Sequence, residues 1–286
     1  MIARYSLGIV LLVAGAASAA EPPLPGGFPD LMGPRSLALG ASIGIAHANE
    51  GVYVNVASLA ARKRYSVETA GWVDRRGAEN AARLYGGSVV DSVSAAVAGA
   101  FSYMRSDQGD YRGGAWWAAL AGELTTGLYL GVGGKYLDLD GPEDSTSAAT
   151  VDAGLFWQIA DYVSLGAAGY NLVSIANDDV APMGYGAGFG LGSDRSFQLT
   201  GDWRADLDRA GKTTNRWAAG AEVLLGEAVP LRAGWMRDET LGGSWWSIGA
   251  GIVTRQGVAL DFAYRQSFDD PSARTIAASI KVFLSQ

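Results

Sequence analysis

Along most of the chain, apolar and polar side chains alternate with a period of two. Val151, Ala153, Leu155, Trp157 and Ile159 are separated by Asp152, Gly154, Phe156 and Gln158. Leu128, Leu130, Val132 and Tyr136 alternate with Tyr129, Gly131, Gly133 and Lys135, and Trp217, Ala219, Ala221, Val223 and Leu225 with Arg216, Ala218, Gly220 and Glu222. Phe197, Leu199 and Trp203, and later Val258, Leu260, Phe262 and Tyr264, repeat the pattern against Gln198, Asp202, Arg204, Asp261 and Arg265. Strands with one greasy face and one face of glycine and charge are those of a barrel with lipid outside and a polar lumen inside. A soluble β-sandwich also alternates. Two features count against it: tryptophans at 72, 116, 117, 157, 203, 217, 235 and 246 are expected as girdle residues, and the alternation continues through Ile276, Ala278, Ile280, Val282 and Leu284.

The segments number about fourteen, near 64–75, 80–90, 92–105, 111–122, 125–139, 147–158, 161–174, 183–193, 195–208, 214–225, 229–239, 243–254, 257–269 and 274–285. Turn signals between them include Asp140-Gly141-Pro142, Asn177-Asp178-Asp179, Gly226-Glu227 and Asp269-Asp270-Pro271. The predicted fold is therefore an all-β, antiparallel transmembrane barrel over 63–286. An even count puts both ends on the periplasmic side.

The first 62 residues differ. Arg4, the apolar run Leu7 to Val13 and the small residues Ala14 to Ala20 read as a cleaved export signal over 1–20, too short to span a bilayer as a helix. Residues 21–62 are expected to form a periplasmic lead-in and plug. Glu21 to Pro34 is rich in Pro and Gly. Beyond it Ser36, Ala38, Gly40, Ser42, Gly44 and Ala46 alternate with Leu37, Leu39, Ala41, Ile43 and Ile45. Its nearly bare face predicts close backbone approach, as a plug strand or one more wall strand. Glu50 to Ala61 reads as a short helix with Asn49 as its N-cap.

Composition fits this picture: 49% hydrophobic, 18% charged, 40 Gly and 9 Trp, with no long apolar helix. A net charge of −7 argues against nucleic acid as a partner. There is no Cys, and the only histidine, His47, lies before the barrel, so neither a Ser/His pair nor a His beside carboxylates is available on the strands. No catalytic residue, cofactor or transition metal is expected. Acidic runs at Asp138, Asp140, Glu143 and Asp144, and at Asn177 to Asp179, read as solvated turns in preference to weak Ca²⁺ sites. The informative charges are those whose parity turns them inward: Lys135, Asp152, Asp202, Arg204, Arg216, Glu222, Arg232, Asp261, Arg265 and Lys281. Both signs are mixed, and Glu222 and Arg232 face each other across a turn, so these groups are expected to hydrate and brace the wall.

Arg35-Ser36-Leu37-Ala38-Leu39-Gly40-Ala41, then Ala46, Ala48 and Asn55-Val56-Ala57-Ser58-Leu59, resemble the N-terminal signature of the FadL/PorV superfamily of outer-membrane barrels, including its N-P-A-x-L box. Tyr170-Asn171-Leu172, Asp202, Gly220-Ala221-Glu222, Leu231-Arg232-Ala233-Gly234-Trp235 and Gly249-Ala250-Gly251 are similar to elements of PorV-like members. Val56 stands where the box has Pro. The resemblance implies a fourteen-stranded barrel; together with the bare-faced strip it gives Arg35, Gly40, Gly44 and Asn55 as expected plug residues. It leaves two roles: a FadL-like conduit for a hydrophobic or small substrate, or a non-catalytic adaptor in a secretion or surface-motility complex. The more numerous PorV-like elements, the altered box and the short loops favour the adaptor, located in the outer membrane. Its expected partners are outer-membrane lipid, lipopolysaccharide included, and proteins of the periplasm or outer membrane. The processed chain should need detergent to stay monodisperse; a soluble monomer in plain buffer would remove the barrel reading.

Overall fold

The computed structural model describes residues 33–40, 42–75, 81–140, 145–173, 181–209 and 212–285. The expected export signal, the expected lead-in up to residue 32, Glu143, Asp144 and Asn177 to Asp179 lie outside them. Two short helices, α1 (Pro34–Leu39) and α2 (Gly51–Val54), and a 3-10 turn (Val56–Ala60) precede fourteen strands. These are β1 (Tyr65–Arg75), β2 (Ala82–Asp91), β3 (Ala98–Gln108), β4 (Tyr111–Thr125), β5 (Leu128–Asp140), β6 (Ser145–Ala160) and β7 (Val163–Tyr170). The second half supplies β8 (Gly184–Gly192), β9 (Phe197–Arg209), β10 (Lys212–Leu225), β11 (Val229–Asp238), β12 (Gly243–Val253), β13 (Val258–Ser267) and β14 (Arg274–Ser285). Every strand is antiparallel to its sequence neighbours, and β1 pairs with β14 from Tyr65↔Ser285 to Arg75↔Arg274, closing the barrel. Closure leaves no strand edge in lipid, where an unpaired amide costs several kcal/mol.

The alternation sets which face is which. Large apolar residues such as Ile248, Leu260, Phe262 and Leu120 are exposed on the outside, while the buried set is rich in charge: Arg265, Lys281, Glu222 and Asp202 all lie inside. A water-soluble protein distributes these types the other way round. The outward aromatics form stacks: Tyr103, Trp116 and Tyr136 with ring centroids 4.9 and 5.6 Å apart, Trp203 on Trp217 at 6.1 Å, and Trp246 on Tyr264 at 5.4 Å. They lie toward the end of the barrel away from the termini. Connections at the terminus end are short, such as 126–127 and 161–162, whereas the longest, 171–183, lies at the opposite end, which is accordingly external.

Five expectations need correction. Residues 36–40 and 42–46 are neither a plug strand nor a wall strand: they form α1 and, from 42 on, turns inside the lumen, because all wall strands are already paired and α1 has its own backbone bond from Leu37 N–H to Gly33 O, 2.8 Å. The helix expected over Glu50 to Ala61 breaks at Asn55 into α2 and the 3-10 turn. Asn49 is not its cap. Its amide donates to Ser88 O at 3.2 Å and Ser88 Oγ at 3.0 Å and accepts from Ser66 Oγ at 2.7 Å, which ties the plug to β1 and β2. Trp72 and Trp117 are not girdle residues; both point into the lumen and are buried, filling space above and beside the plug. Finally, β7 stops at Tyr170 because Asn171, at φ 51°, turns the chain inward.

A charge placed on the lipid face should be costly. Ile248→Arg, at the middle of β12, is expected to lower stability by about 2–4 kcal/mol in equilibrium unfolding from lipid vesicles, with a much smaller change for Ile248→Val, which keeps the site apolar.

Candidate functional site: a plugged lumen

Residues 33–60 fill the half of the lumen nearest the termini. What lets them in is an inner wall stripped of side chains. A Cβ on Gly220 would lie 2.3 Å from Leu39 O, and one on Gly188 would lie 2.9 Å from Gly44 N. The approach is reciprocal: a Cβ on Gly44 would fall 2.3 Å from Phe189 N, and Gly40, at φ 88°, sits against Trp235 O. Thus both plug glycines predicted from the sequence lie where backbone meets backbone.

Polar anchors then tie the plug around most of the wall. Ser247 Oγ donates to Ala38 O (2.9 Å) from β12, Ser164 Oγ to Gly44 O (2.7 Å) and Tyr170 Oη to Val54 O (2.6 Å) from β7. Asp202 on β9 accepts from Ile43 N at 2.7 Å. Asn55 Oδ1 accepts from Ala57 N at 3.2 Å while its Nδ2 donates to Ile43 O and to Leu155 O, at 3.1 and 3.0 Å. Val56 occupies the first position of the 3-10 turn, where a proline would fit as well. The Asn cap therefore holds the turn without it.

The strongest tether is ionic. Arg35 makes a bidentate contact with Glu222, Nη2–Oε1 2.8 Å and Nε–Oε2 2.9 Å, and also donates to Gln198 Oε1 at 3.0 Å and Ala46 O at 3.1 Å. Glu222 accepts in turn from Arg232 Nε at 2.5 Å, and Arg232 Nη1 donates to Asp261 Oδ1 at 2.5 Å. Charges of alternating sign thus run Arg35–Glu222–Arg232–Asp261 across β10, β11 and β13. Burial alone would lower the Arg35 pKa; the charge and hydrogen bonds of Glu222 outweigh it and raise it.

Glu50 organises the plug from within. Its carboxylate accepts from Arg35 N (2.9 Å), Ser36 N (3.1 Å) and Ser36 Oγ (2.7 Å), capping the amides at the start of α1. His47 donates Nε2–H to Ser42 O at 2.7 Å; its Nδ1, 3.6 Å from Glu50 Oε2, is beyond hydrogen-bond range and acts through proximity. His47 is thus a buried plug residue, not a surface one. Burial would push the Glu50 carboxyl up, but His47, the Lys281 charge and the Ser36 hydroxyl hold it well below the usual carboxylate range.

The other inward charges pair locally. Lys135 reaches Asn171 Oδ1 at 2.8 Å and Asp152 at 3.1 Å, and Asp152 accepts from Asn171 N at 2.7 Å, so these two residues hold the inward turn after β7. Arg204 contacts Asp206 at 2.7 Å and stacks over Tyr170, 4.2 Å from its ring centroid. Arg216 lies 3.9 Å from Asp238. Arg265 donates to Thr275 Oγ1 at 3.2 Å and stacks over Trp245, while Lys281 lies 3.4 Å from Glu68. Glu68 and Asp74 were not among the expected inward charges, although the parity rule applied to β1 finds both. Glu50 and Asn49 carried a local signal only as the start of a helix, and Tyr53, whose hydroxyl meets Ser102 Oγ and whose ring meets Trp117 edge-on at 5.1 Å, had none.

Seen around the ring, the lumen is two-faced. From β9 to β13 the inner wall carries Asp202, Arg204, Asp206, Arg216, Glu222, Arg232, Asp238, Asp261 and Arg265. From β2 to β5 it carries Ala82, Leu84, Val90, Ala98, Met104, Ala115, Trp117, Ala119, Ala121, Leu137 and Leu139, interrupted on β2 and β3 by Ser88, Ser102, Ser106 and Gln108, with Lys135 on β5 and Glu123 at the terminus-side end of β4 as the charges among the described residues of that sector. This apolar strip runs from Leu139 and Ala82 at the external end to Val90, Ala98 and Ala121 at the other. A small cavity whose lining includes Glu50, Tyr53, Glu68, Trp72, Ser88 and Met104 lies between the wall and the plug.

No protein-family model matches the sequence, and no curated protein matches it. The fold does match solved structures. The toluene transporter TbuX of Ralstonia pickettii aligns over 90% of this chain and 99% of its own, with TM-score 0.67 at 12% identity. A Pseudomonas aeruginosa FadL homologue aligns over 89% and 98%, with TM-score 0.67 at 11% identity, and the Pseudomonas putida toluene transporter TodX over 91% and 97%, with TM-score 0.62 at 10% identity. At such identities what is shared is the fold alone.

Two outcomes follow. Removing one partner of a buried charge pair costs about 3–5 kcal/mol, so Arg35→Ala should expose residues 33–60 to limited proteolysis in detergent while the barrel keeps its heat-modifiable gel mobility. For Glu50, a lowered carboxyl pKa means a contribution fully present above the unfolded value of about 4.3 and lost as pH falls toward the folded one. The loss of plug protection caused by Glu50→Gln should therefore be constant from about pH 8 to 5 and shrink only below about pH 4.

Proposed function

We propose that the protein is a plugged outer-membrane channel that admits small apolar molecules, monoaromatic hydrocarbons being the class that fits best. The observation that carries this reading is the apolar inner face of β4, Ala115, Trp117, Ala119 and Ala121, flanked by Leu84 and Met104 on one side and by Leu137 and Leu139 on the other, opposite a wall from β9 to β13 that is charged. An apolar solute moving along it meets Leu139, Leu137, Trp117, Leu84 and Met104, and need not displace paired charges. A filled lower lumen does not suit a water-filled diffusion pore. The fold shared with the toluene transporters TbuX and TodX supports the same class of cargo.

This reverses the preference for an adaptor drawn from the sequence. A barrel that serves only as an anchor has no need of a wall cleared of Cβ atoms to seat a separate segment, nor of an apolar face on one side of the interior. The altered N-P-A box no longer counts against transport either, since Asn55 keeps its cap with Val56 beside it. Placement in the outer membrane is supported by the outward apolar belt, the aromatic stacks and the N-terminal export pattern.

Uptake of radiolabelled toluene by intact cells lacking other such channels is expected to rise when the protein is expressed. Trp117→Glu, which puts a charge into the strip, should cut that uptake by about tenfold, equivalent to about 1.4 kcal/mol of barrier. Uptake no greater than in empty cells, with periplasmic proteins co-purifying, would restore the adaptor reading.

A further inference from the structure

At the external rim, β1 ends and β14 begins with two arginines directly opposite each other, Arg75↔Arg274. Both side chains are exposed and on the outer face of the wall. Arg83 on β2 is opposite Val73, which sets it diagonally beside Arg75, and it is exposed too. Like charges directly opposite across strands destabilise a sheet, and in a chain of net charge −7 a cluster of this kind does not follow from a basic composition.

The neighbouring rim shows how such charges are met elsewhere. Arg112 faces Asp107 on one side and Asp140 on the other, and Arg105 lies 3.4 Å from Asp107. Asp107 is also opposite Arg83, but its carboxylate is taken up by Arg105 and by the Tyr85 hydroxyl at 3.0 Å. Facing the Arg75–Arg274 pair, β13 presents Gln266, a neutral side chain.

Height fixes the kind of anion. Tyr85 lies two residues below Arg83 on the same outer face, and Tyr264, part of the aromatic stack with Trp246, is opposite Ile276, two residues below Arg274. Two residues of strand rise about 7 Å, so the guanidinium groups stand one step beyond the aromatic belt, at the depth of lipid headgroups. Below them Val73, Ile276 and Ile280 offer exposed apolar surface. Guanidinium forks match phosphate oxygens in pairs.

We propose that Arg75, Arg274 and Arg83 form a binding site for a phosphorylated glycolipid of the outer leaflet, its phosphate held between the two facing arginines and its acyl chains lying over Val73, Ile276 and Ile280. The site is on the lipid face and is independent of what passes through the lumen.

The test is native mass spectrometry of the full-length protein in a neutral detergent, titrated with diphosphoryl lipid A, with the same lipid after removal of both phosphates, and with inorganic phosphate. Diphosphoryl lipid A should bind to the wild type, and the double variant Arg75→Gln/Arg274→Gln should bind it at least about tenfold more weakly, about 1.4 kcal/mol. Arg237→Gln, an exposed arginine on β11, should leave binding unchanged. Unaltered heat-modifiable mobility checks that the variants remain folded, and Arg83→Gln alone should give a smaller loss. Equal binding by the double variant, equal binding of the dephosphorylated lipid, or inorganic phosphate binding as tightly as the lipid would each overturn the site.

Discussion

A backbone that crosses hydrocarbon as strands has to pair every one of its amides within the wall, and that requirement organises this protein. It forces β1 onto β14, and closure creates an interior with no access to the lipid-side hydrophobic effect. What the interior contains must then hold together by other means: paired charges, backbone hydrogen bonds and close packing. The charge chain from Arg35 to Asp261 is one answer. Such groups are expensive to bury singly but are acceptable when every charge meets its opposite.

The same requirement explains why the plug looks as it does. With all wall strands paired to each other, an inserted segment cannot join the sheet, so it must satisfy its own backbone with short helical turns and lend its leftover carbonyls to wall hydroxyls. Ser164, Tyr170 and Ser247 serve in this way. Glycines on the wall do the remaining work by letting the two backbones touch, and the outer surface is free to be greasy, aromatic or basic as the bilayer demands.

This division also decides what could be read in the sequence. Wall strands are legible because a membrane on one side and a lumen on the other impress a period of two on every residue; the parity that placed Lys135, Asp152 and Arg232 inside needed no knowledge of partners. Inside the plug there is no such asymmetry. Ser36 to Leu39 are buried on all sides, so their alternation of small and large residues carried no information about helix or strand, and a strand was the wrong choice. Glu50 looked like a helix-start acid for its own helix, yet it caps the one that begins sixteen residues earlier, a contact that only the folded plug creates. Trp72 and Trp117 were misassigned for a related reason: aromatic residues are expected at interfaces, but a lumen narrowed by a plug also needs bulky filler.

Chain order adds a kinetic dimension. The plug is the first part of the described chain to be made, whereas α1 packs against β10 to β14, the last. The seam that shuts the barrel joins Tyr65 to Ser285, nearly the full span of the wall. Residues 33–60 touch both sides of that seam, through Asn49 to β1 and β2 and through α1 to β14, so closing the wall and seating the plug draw on the same long-range contacts. Assembly is then slow by topology, and an insertion machine that grips the terminal strand also controls when the interior is sealed.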